Sequence, residues 1–160
     1  MDVVEKERIN MRLPKVLPSD VLTRVPRESE WHSQDWNDDT AKAHKHFCGK
    51  SLDEAERLFA ESSLIHQGDL MWMPFIPCCF YLQAYSRYLL SEESKGDSDG
   101  ASCYITLIGW FGAHVRHFPE ALHDLTRRTL LRIASSQGFY EADVDIYGSF
   151  EERVRTILAA

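Results

Sequence analysis

The chain is most apolar between residues 74 and 90, which read Pro74-Phe-Ile-Pro-Cys-Cys-Phe-Tyr-Leu-Gln-Ala-Tyr-Ser-Arg-Tyr-Leu-Leu90. Apolar residues recur along this run with the spacing of one face of an α-helix, which has 3.6 residues per turn: Cys78, Leu82, Tyr85 and Leu89. The other faces are also largely apolar, so the pattern predicts a helix over residues 75–90 that other helices cover on most sides. A strand is disfavoured because the run is too long and its polar residues do not alternate. The run is also shorter than the ~20 apolar residues that a membrane span needs.

The flanking segments predict further helices and no strands. Ser51 and Glu54 form a capping box that opens a helix ending near Ser62. Apolar periodicity indicates helices at about 101–117 and 119–137, a last helix from Ser149, and a short one at about 39–49. Asp99 is interpreted as the cap of the helix at 101–117. Gly68 and Asp69 are interpreted as a turn into the helix at 75–90.

These elements predict an all-α fold, a compact irregular bundle of five or six helices around a central buried helix at about 75–90. Residues 1–37 contain three prolines and form a Pro-rich, irregular N-terminal arm that packs on the body. Residues 38–160 then form a single helical domain. Small residues repeat at helical spacing at Ser102, Thr106, Gly109 and Ala113. We expect that stripe to lie against another helix, most simply the central one.

Composition limits the classes of partner. The 160 residues are 44% hydrophobic and 27% charged, which is ordinary for a soluble domain, and the net charge is −7. That charge disfavours nucleic acid and acidic membrane surfaces as partners and favours a basic protein. The four cysteines are interpreted as buried free thiols. The first residues lack the apolar core of a signal peptide, so the cytoplasm is the expected compartment.

The first candidate site is an acidic stretch that carries two tryptophans. Aromatic residues among acids are typical of a surface that contacts a basic partner. The proposed contact residues are Trp31, Asp35, Trp36, Asp38 and Asp39. The function this favours is macromolecular binding by a small helical protein, such as an adaptor or an inhibitor of immunity type.

The alternative function is an enzyme or a small-ligand-binding protein with a pocket between helices. Arg87 lies on the narrow polar strip of an otherwise apolar helix, where a buried arginine needs an acidic partner from another helix or a ligand. The residues expected to line such a pocket are Trp72, Gln83, Arg87 and Tyr88.

The sequence contains no motif that assigns catalysis, a cofactor or a metal. It has no Gly-x-Ser-x-Gly, no glycine-rich phosphate loop and no His-Glu-x-x-His, which favours a binding protein over an enzyme. His114 and His117 share a helical face but lack an identified third ligand. His44 and His46 would point about 200° apart on a helix, which is poor for binding one ion. No metal site is therefore predicted, and the oligomeric state is left open.

Overall fold

The computed structural model describes residues 11–32 and 36–160. In these two ranges the chain forms eight α-helices and two 3₁₀ segments, with no strand. The helices are α1 (Glu28–Trp31), α2 (Asp38–Phe47), α3 (Leu52–Met71), α4 (Phe75–Leu90), α5 (Ser98–Phe111), α6 (Glu120–Ser135), α7 (Val144–Tyr147) and α8 (Phe150–Ala159). The 3₁₀ segments are Glu92–Ser94 and Gly112–His117. Six of the helices have ten or more residues, and the predicted all-α class is confirmed.

Helix α4 buries twelve of its sixteen residues and packs against α1, α3 and α6. Pro77 lies in its first turn, where the missing backbone N–H breaks no helical hydrogen bond. Tyr85 stacks on Phe59 of α3, with ring centroids 4.6 Å apart. The Tyr81 hydroxyl reaches the end of α2, donating to the carbonyl oxygens of Phe47 (2.7 Å) and Lys50 (2.9 Å). Helix α4 therefore joins the core to the helix that carries the site described below.

The described part of the N-terminal segment, residues 11–27, consists of turns and irregular backbone. Val21 is buried, and Leu17, Leu22 and Val25 pack partly buried against the same core. The segment leads into α1 over the body of the protein, so the placement of α1 depends on contacts with the core.

The boundaries of α3 and α5 differ from the sequence prediction, and the helix predicted at about 101–117 ends at Phe111, where the 3₁₀ segment Gly112–His117 follows. Helix α3 continues through Gly68 to Met71, although the chain bends at Ser62, where φ is −159° and ψ is 86°. Helix α5 begins at Ser98 because Asp97 caps it, accepting a hydrogen bond from the Gly100 N–H at 2.9 Å. The Asp97 carboxylate also accepts hydroxyl hydrogen bonds from two neighbouring helices, so long-range contacts selected it as the cap over Asp99.

The stripe of small residues on α5 faces the last helix, α8, and not α4. Arg153 of α8 donates to the Ser102 hydroxyl (2.9 Å) and the Thr106 hydroxyl (3.1 Å). A Cβ atom placed on Gly109 would lie 2.9 Å from Cδ1 of Ile157. The expected helix–helix contact is confirmed, but its partner is a different helix. None of the described helices is long and apolar enough to cross a membrane.

Candidate metal centre

Helix α1 is short, and its position is set by Trp31. The Trp31 side chain is fully buried, lies edge-on to the His44 ring at 5.3 Å, and is 6.2 Å from the Tyr81 ring. The start of α1 is held by Glu30, which accepts hydrogen bonds from the Arg27 backbone (2.7 Å) and from two Arg24 nitrogens (2.8 and 3.2 Å). These contacts hold α1 against α2 and α4.

Helix α2 ends in a turn that carries three potential metal ligands. Asn37 caps its start by accepting from the Thr40 N–H at 2.8 Å. His44 and Cys48 are four residues apart and so share a helical face, whereas His46 points away from both. The same turn therefore presents ligands on two sides, as the angle between His44 and His46 predicts.

His44 and Cys48 meet Glu28 and His32, and we call these four residues the Glu28 cluster. His44 Nε2 lies 2.8 and 3.0 Å from the two Glu28 carboxylate oxygens, and His32 Nε2 lies 3.1 Å from Oε1. The Cys48 thiol donates to Oε2 at 3.0 Å. The ligand atoms of Glu28, His32 and His44 all lie within 4.8 Å of one another. One carboxylate thus gathers two imidazoles and a thiol at a surface where Glu28 and His32 are exposed.

The donor set suits a zinc-class dication, and three of its four ligand atoms, those of Glu28, His32 and His44, already lie close together. Zinc is bound by imidazole nitrogen, thiolate sulfur and carboxylate oxygen, usually four in a tetrahedron. Ligands ~2.1 Å from such an ion lie ~3.4 Å from each other, so the contacts of Glu28 with His32 and His44 would widen by only a few tenths of an ångström. Cys48 contacts the Glu28 carboxylate but lies outside the group of ligand atoms within 4.8 Å of one another, so its thiol would have to move closer to the two imidazoles. With Glu28 and Cys48 both ionised and both imidazoles neutral, the charges of the four ligands balance a dication.

The hydrogen bonds within the cluster define its metal-free protonation state. Those from Cys48, His44 and His32 lower the pKa of Glu28 to about 2, so the carboxylate is ionised at neutral pH. Burial, followed by the hydrogen bond to Glu28, raises the pKa of the Cys48 thiol to about 11. The thiol is therefore protonated at neutral pH, so binding of a metal ion by its sulfur would release a proton.

A second group lies on the other side of α2, and we call it the Asp69 cluster. His46 of α2 and His66 of α3 both place Nδ1 against the same carboxylate oxygen of Asp69, at 2.7 and 2.9 Å. Asp69 is 4% exposed, and the His66 side chain is 10% exposed. The two rings are nearly perpendicular, with centroids 5.1 Å apart. These three ligand atoms also fall within 4.8 Å of one another.

The structure separates the residues of the predicted partner-binding stretch. Trp31 is buried inside the protein and offers no contact surface. Trp36 is 44% exposed, stacks on His32 at 4.7 Å and lies edge-on to His44 at 5.3 Å. Asp38 and Asp39 are exposed in the first turn of α2. Asp35 lies outside the described residues.

Two residues of the alternative pocket have structural partners. The Gln83 side chain donates to the carbonyl oxygens of Leu22 and Phe80, both at 3.0 Å. The buried Tyr88 hydroxyl donates to Asp97 at 2.7 Å. Their polar groups thus stabilise the arm and the start of α5.

Arg87 and Trp72 also lie apart. A guanidinium nitrogen of Arg87 lies 3.8 Å from the Asp53 carboxylate, so the acidic partner of Arg87 comes from another helix, α3, as expected. The Arg87 side chain is 46% exposed, however, and the expectation that it is buried is wrong. Trp72 caps the end of α3.

A cavity of about 690 Å³ opens between α5, α6 and α8, and none of the four predicted pocket residues lines it. Its lining includes Ile108, Arg116, Arg127, Leu130 and Ile157.

The sequence singled out two pairs of histidines, and neither pair binds together. His44 and His46 point apart, as expected, and each joins a different cluster. The His114 ring contacts the carbonyl oxygens of Phe111 (3.2 Å) and Met11 (3.1 Å), and His117 belongs to neither cluster. The overlooked signal was spacing. Two pairs of ligands have the spacing i, i+4, namely Glu28 with His32 and His44 with Cys48, and one pair has the spacing i, i+3, namely His66 with Asp69.

Comparisons of the chain with protein-family models, curated proteins and solved structures gave no match.

Proposed function

We propose that the protein binds a zinc-class dication through Glu28, His32, His44 and Cys48. The observation that supports this is that His32, His44 and Cys48 all contact the carboxylate of Glu28, which brings an i, i+4 pair at α1 against an i, i+4 pair at α2. Four protein ligands fill a tetrahedral coordination sphere, which is the arrangement of a structural metal site. The ion would join residues 28–32 to residues 44–48 and hold the intervening segment.

Cobalt is a suitable probe because it replaces zinc and is coloured. We expect the wild-type protein to bind Co²⁺ with a near-ultraviolet thiolate-to-cobalt band that Zn²⁺ abolishes. Cys48→Ser should lose this band and weaken Zn²⁺ binding at this cluster on the order of 100-fold, since even outer-shell changes cost 10- to 100-fold. Cys103→Ser is the matched control, because Cys103 is also a partly buried free thiol but belongs to neither cluster.

The contribution of histidine to metal binding is tested by substituting two exposed histidines, one inside the Glu28 cluster and one outside it. His32→Ala should weaken binding, whereas His117→Ala should leave it unchanged. Native mass spectrometry of untagged protein counts the ions bound by each variant. A wild-type protein without stoichiometric metal, or a thiolate band that survives Cys48→Ser, would overturn the proposal.

A second proposed function, binding of a basic macromolecule, is supported by the exposure of Trp36. The Trp36 indole stacks on the ring of His32, so a metal ion bound by His32 would also restrict the position of the exposed indole. Asp38 and Asp39 lie beside it, and the net charge of −7 favours a basic partner. The four free cysteines suit the cytoplasm that the sequence predicts, where Cys48 would remain reduced.

The partner surface is tested by retention from native-host lysate at low salt. Trp36→Ala and the double variant Asp38→Lys/Asp39→Lys should each lose the partner that the wild type retains. Glu92→Lys/Glu93→Lys is the matched control, because it reverses an adjacent exposed acidic pair at the start of another helical segment. Equal retention by all variants would show that this surface is not the contact site.

A further inference from the structure

The Asp69 cluster places three metal-binding groups in a mostly buried position. Asp69 is almost fully buried and His66 nearly so, while His46, at 28% side-chain exposure, connects the group to solvent. An ionised carboxylate in such surroundings needs hydrogen-bond donors or a cation. Here both donors are imidazoles, and both are directed at the same oxygen atom.

The surroundings fix the geometry of these groups before any ion arrives. His66 lies edge-on to Phe47 at 5.5 Å and to Phe59 at 6.2 Å, so aromatic packing limits its rotation. His66 and Asp69 are one helical turn apart on α3, and His46 enters from α2. A preorganised group of two histidines and one carboxylate is the ligand set of sites that keep coordination positions open.

We infer that His46, His66 and Asp69 bind a second divalent transition-metal ion, with coordination positions left open for water or a small anion. The ion would take Nδ1 of each histidine and one Asp69 oxygen as ligands, and each neutral imidazole would then carry its single proton on Nε2 in place of Nδ1. The two neutral imidazoles and one carboxylate leave a net charge of +1 on the site. That charge favours an anionic oxygen ligand, such as a carboxylate or a phosphate group, at the open positions. The site shares no residue with the Glu28 cluster, so this inference does not rest on the proposed function.

The two sites can be distinguished by stoichiometry and by spectrum. The double variant His44→Ala/Cys48→Ser removes two ligands of the Glu28 cluster and leaves all three ligands of the Asp69 cluster. We expect it to bind one Co²⁺, with visible bands but no thiolate band, whereas the wild type binds two. Addition of azide should shift the visible bands of the double variant, because azide enters an open coordination position.

Ligand identity is tested by adding a third change to that double variant. His46→Ala should abolish the remaining Co²⁺, and His117→Ala should not. Asp69→Asn and His66→Ala provide independent removals, and circular dichroism confirms that each protein is folded before it is titrated. A folded double variant that binds no Co²⁺ would overturn the inference. Binding that azide leaves unchanged would overturn its open coordination, and binding that survives His46→Ala would overturn the assignment of ligands.

The outcomes also separate the two proposals. A wild-type protein that binds one Co²⁺ without a thiolate band, lost on His46→Ala, would support the Asp69 cluster and contradict the Glu28 cluster. One Co²⁺ with a thiolate band, lost in the His44→Ala/Cys48→Ser variant, would contradict the Asp69 cluster and support the Glu28 cluster.

Discussion

Tyr81 tests whether the turn that carries the proposed metal ligands depends on the core. Its buried hydroxyl donates to the carbonyl oxygens of Phe47 (2.7 Å) and Lys50 (2.9 Å), at the end of α2. The last carbonyls of a helix lack partners within it, so this hydroxyl supplies part of the cap. Tyr81→Phe removes the hydroxyl, keeps the ring, and leaves every potential metal ligand in place.

The expected loss follows from two hydrogen bonds. Each contributes about 0.5–1.5 kcal/mol net, so Tyr81→Phe should lower the free energy of unfolding by about 1–3 kcal/mol. For a chain of 160 residues each kcal/mol corresponds to a melting-temperature change of ~2–4 °C. We therefore expect a decrease of ~2–12 °C in the metal-free protein. Affinity for Co²⁺ should also fall, because the turn that carries His44 and Cys48 is less well held.

The assay is urea unfolding of the metal-free protein, followed by Co²⁺ titration. Tyr140→Phe is the matched control, because the Tyr140 hydroxyl donates to the Leu89 carbonyl at the far end of α4. It should lose stability, but its Co²⁺ affinity should not change. If Tyr81→Phe unfolds at the wild-type urea concentration, the hydroxyl does not cap α2. If both variants weaken Co²⁺ equally, the effect comes from global stability and not from the turn.

Two further predictions concern the arm and the last helix. The hydrogen bond from Arg24 holds the pKa of Glu30 below its usual value. The Glu30 carboxylate therefore stabilises the fold fully above its unfolded pKa of about 4.3. This contribution to stability is lost as the pH falls through the folded pKa. Glu30→Gln should thus be less stable than wild type at pH 7, by a margin that shrinks below about pH 4 in urea unfolding; a constant margin would contradict the pair's role. Gly109→Leu should lower the free energy of unfolding by about 1–3 kcal/mol because Ile157 must move, whereas Gly68→Leu, at a helical glycine with open space, should not. Equal melting temperatures for the two leucine variants would contradict the close packing of Gly109 against Ile157.

Local signals located most of the helices because caps and apolar periodicity act over a few residues. The Ser51–Glu54 capping box forms in both directions, at 3.2 Å each. The prediction of a turn at Gly68 and Asp69 was wrong, because both residues lie inside α3. A glycine inside a helix costs about 1 kcal/mol, and the burial of His66, Asp69 and Leu70 along α3 outweighs that cost. Tertiary packing of this kind has no local signature in the sequence.

The same limit applies to the two tryptophans of the acidic stretch. They lie five positions apart among similar neighbours, yet one is fully buried and the other is 44% exposed. What separates them is the position of α2 and α4, against which Trp31 packs. The contact surface proposed from composition is therefore reduced, among the described residues, to Trp36, Asp38 and Asp39.

The candidate metal centre was visible in the sequence only as separate pairs. Glu28 with His32, and His44 with Cys48, each have the spacing of one helical turn, but such pairs are common on solvated helices. Their meeting requires α1 to lie against α2, which depends on the long-range burial of Trp31. Sequence spacing can thus identify which residues could share a face, but not which two faces come together.

The last turn of α2 explains why two clusters occur so close together. Its helical geometry sends His44 and Cys48 to one side and His46 to the other, so a single turn supplies ligands to both. That turn is fixed from the core by two aromatic side chains, Tyr81 at its carbonyl end and Trp31 against the His44 ring. Because both supports are buried, the ligands of α2 are held by the packing of the bundle and do not depend on a loop. A metal at either cluster would then add a cross-link to a turn already in place, between α1 and α2 on one side and between α2 and α3 on the other.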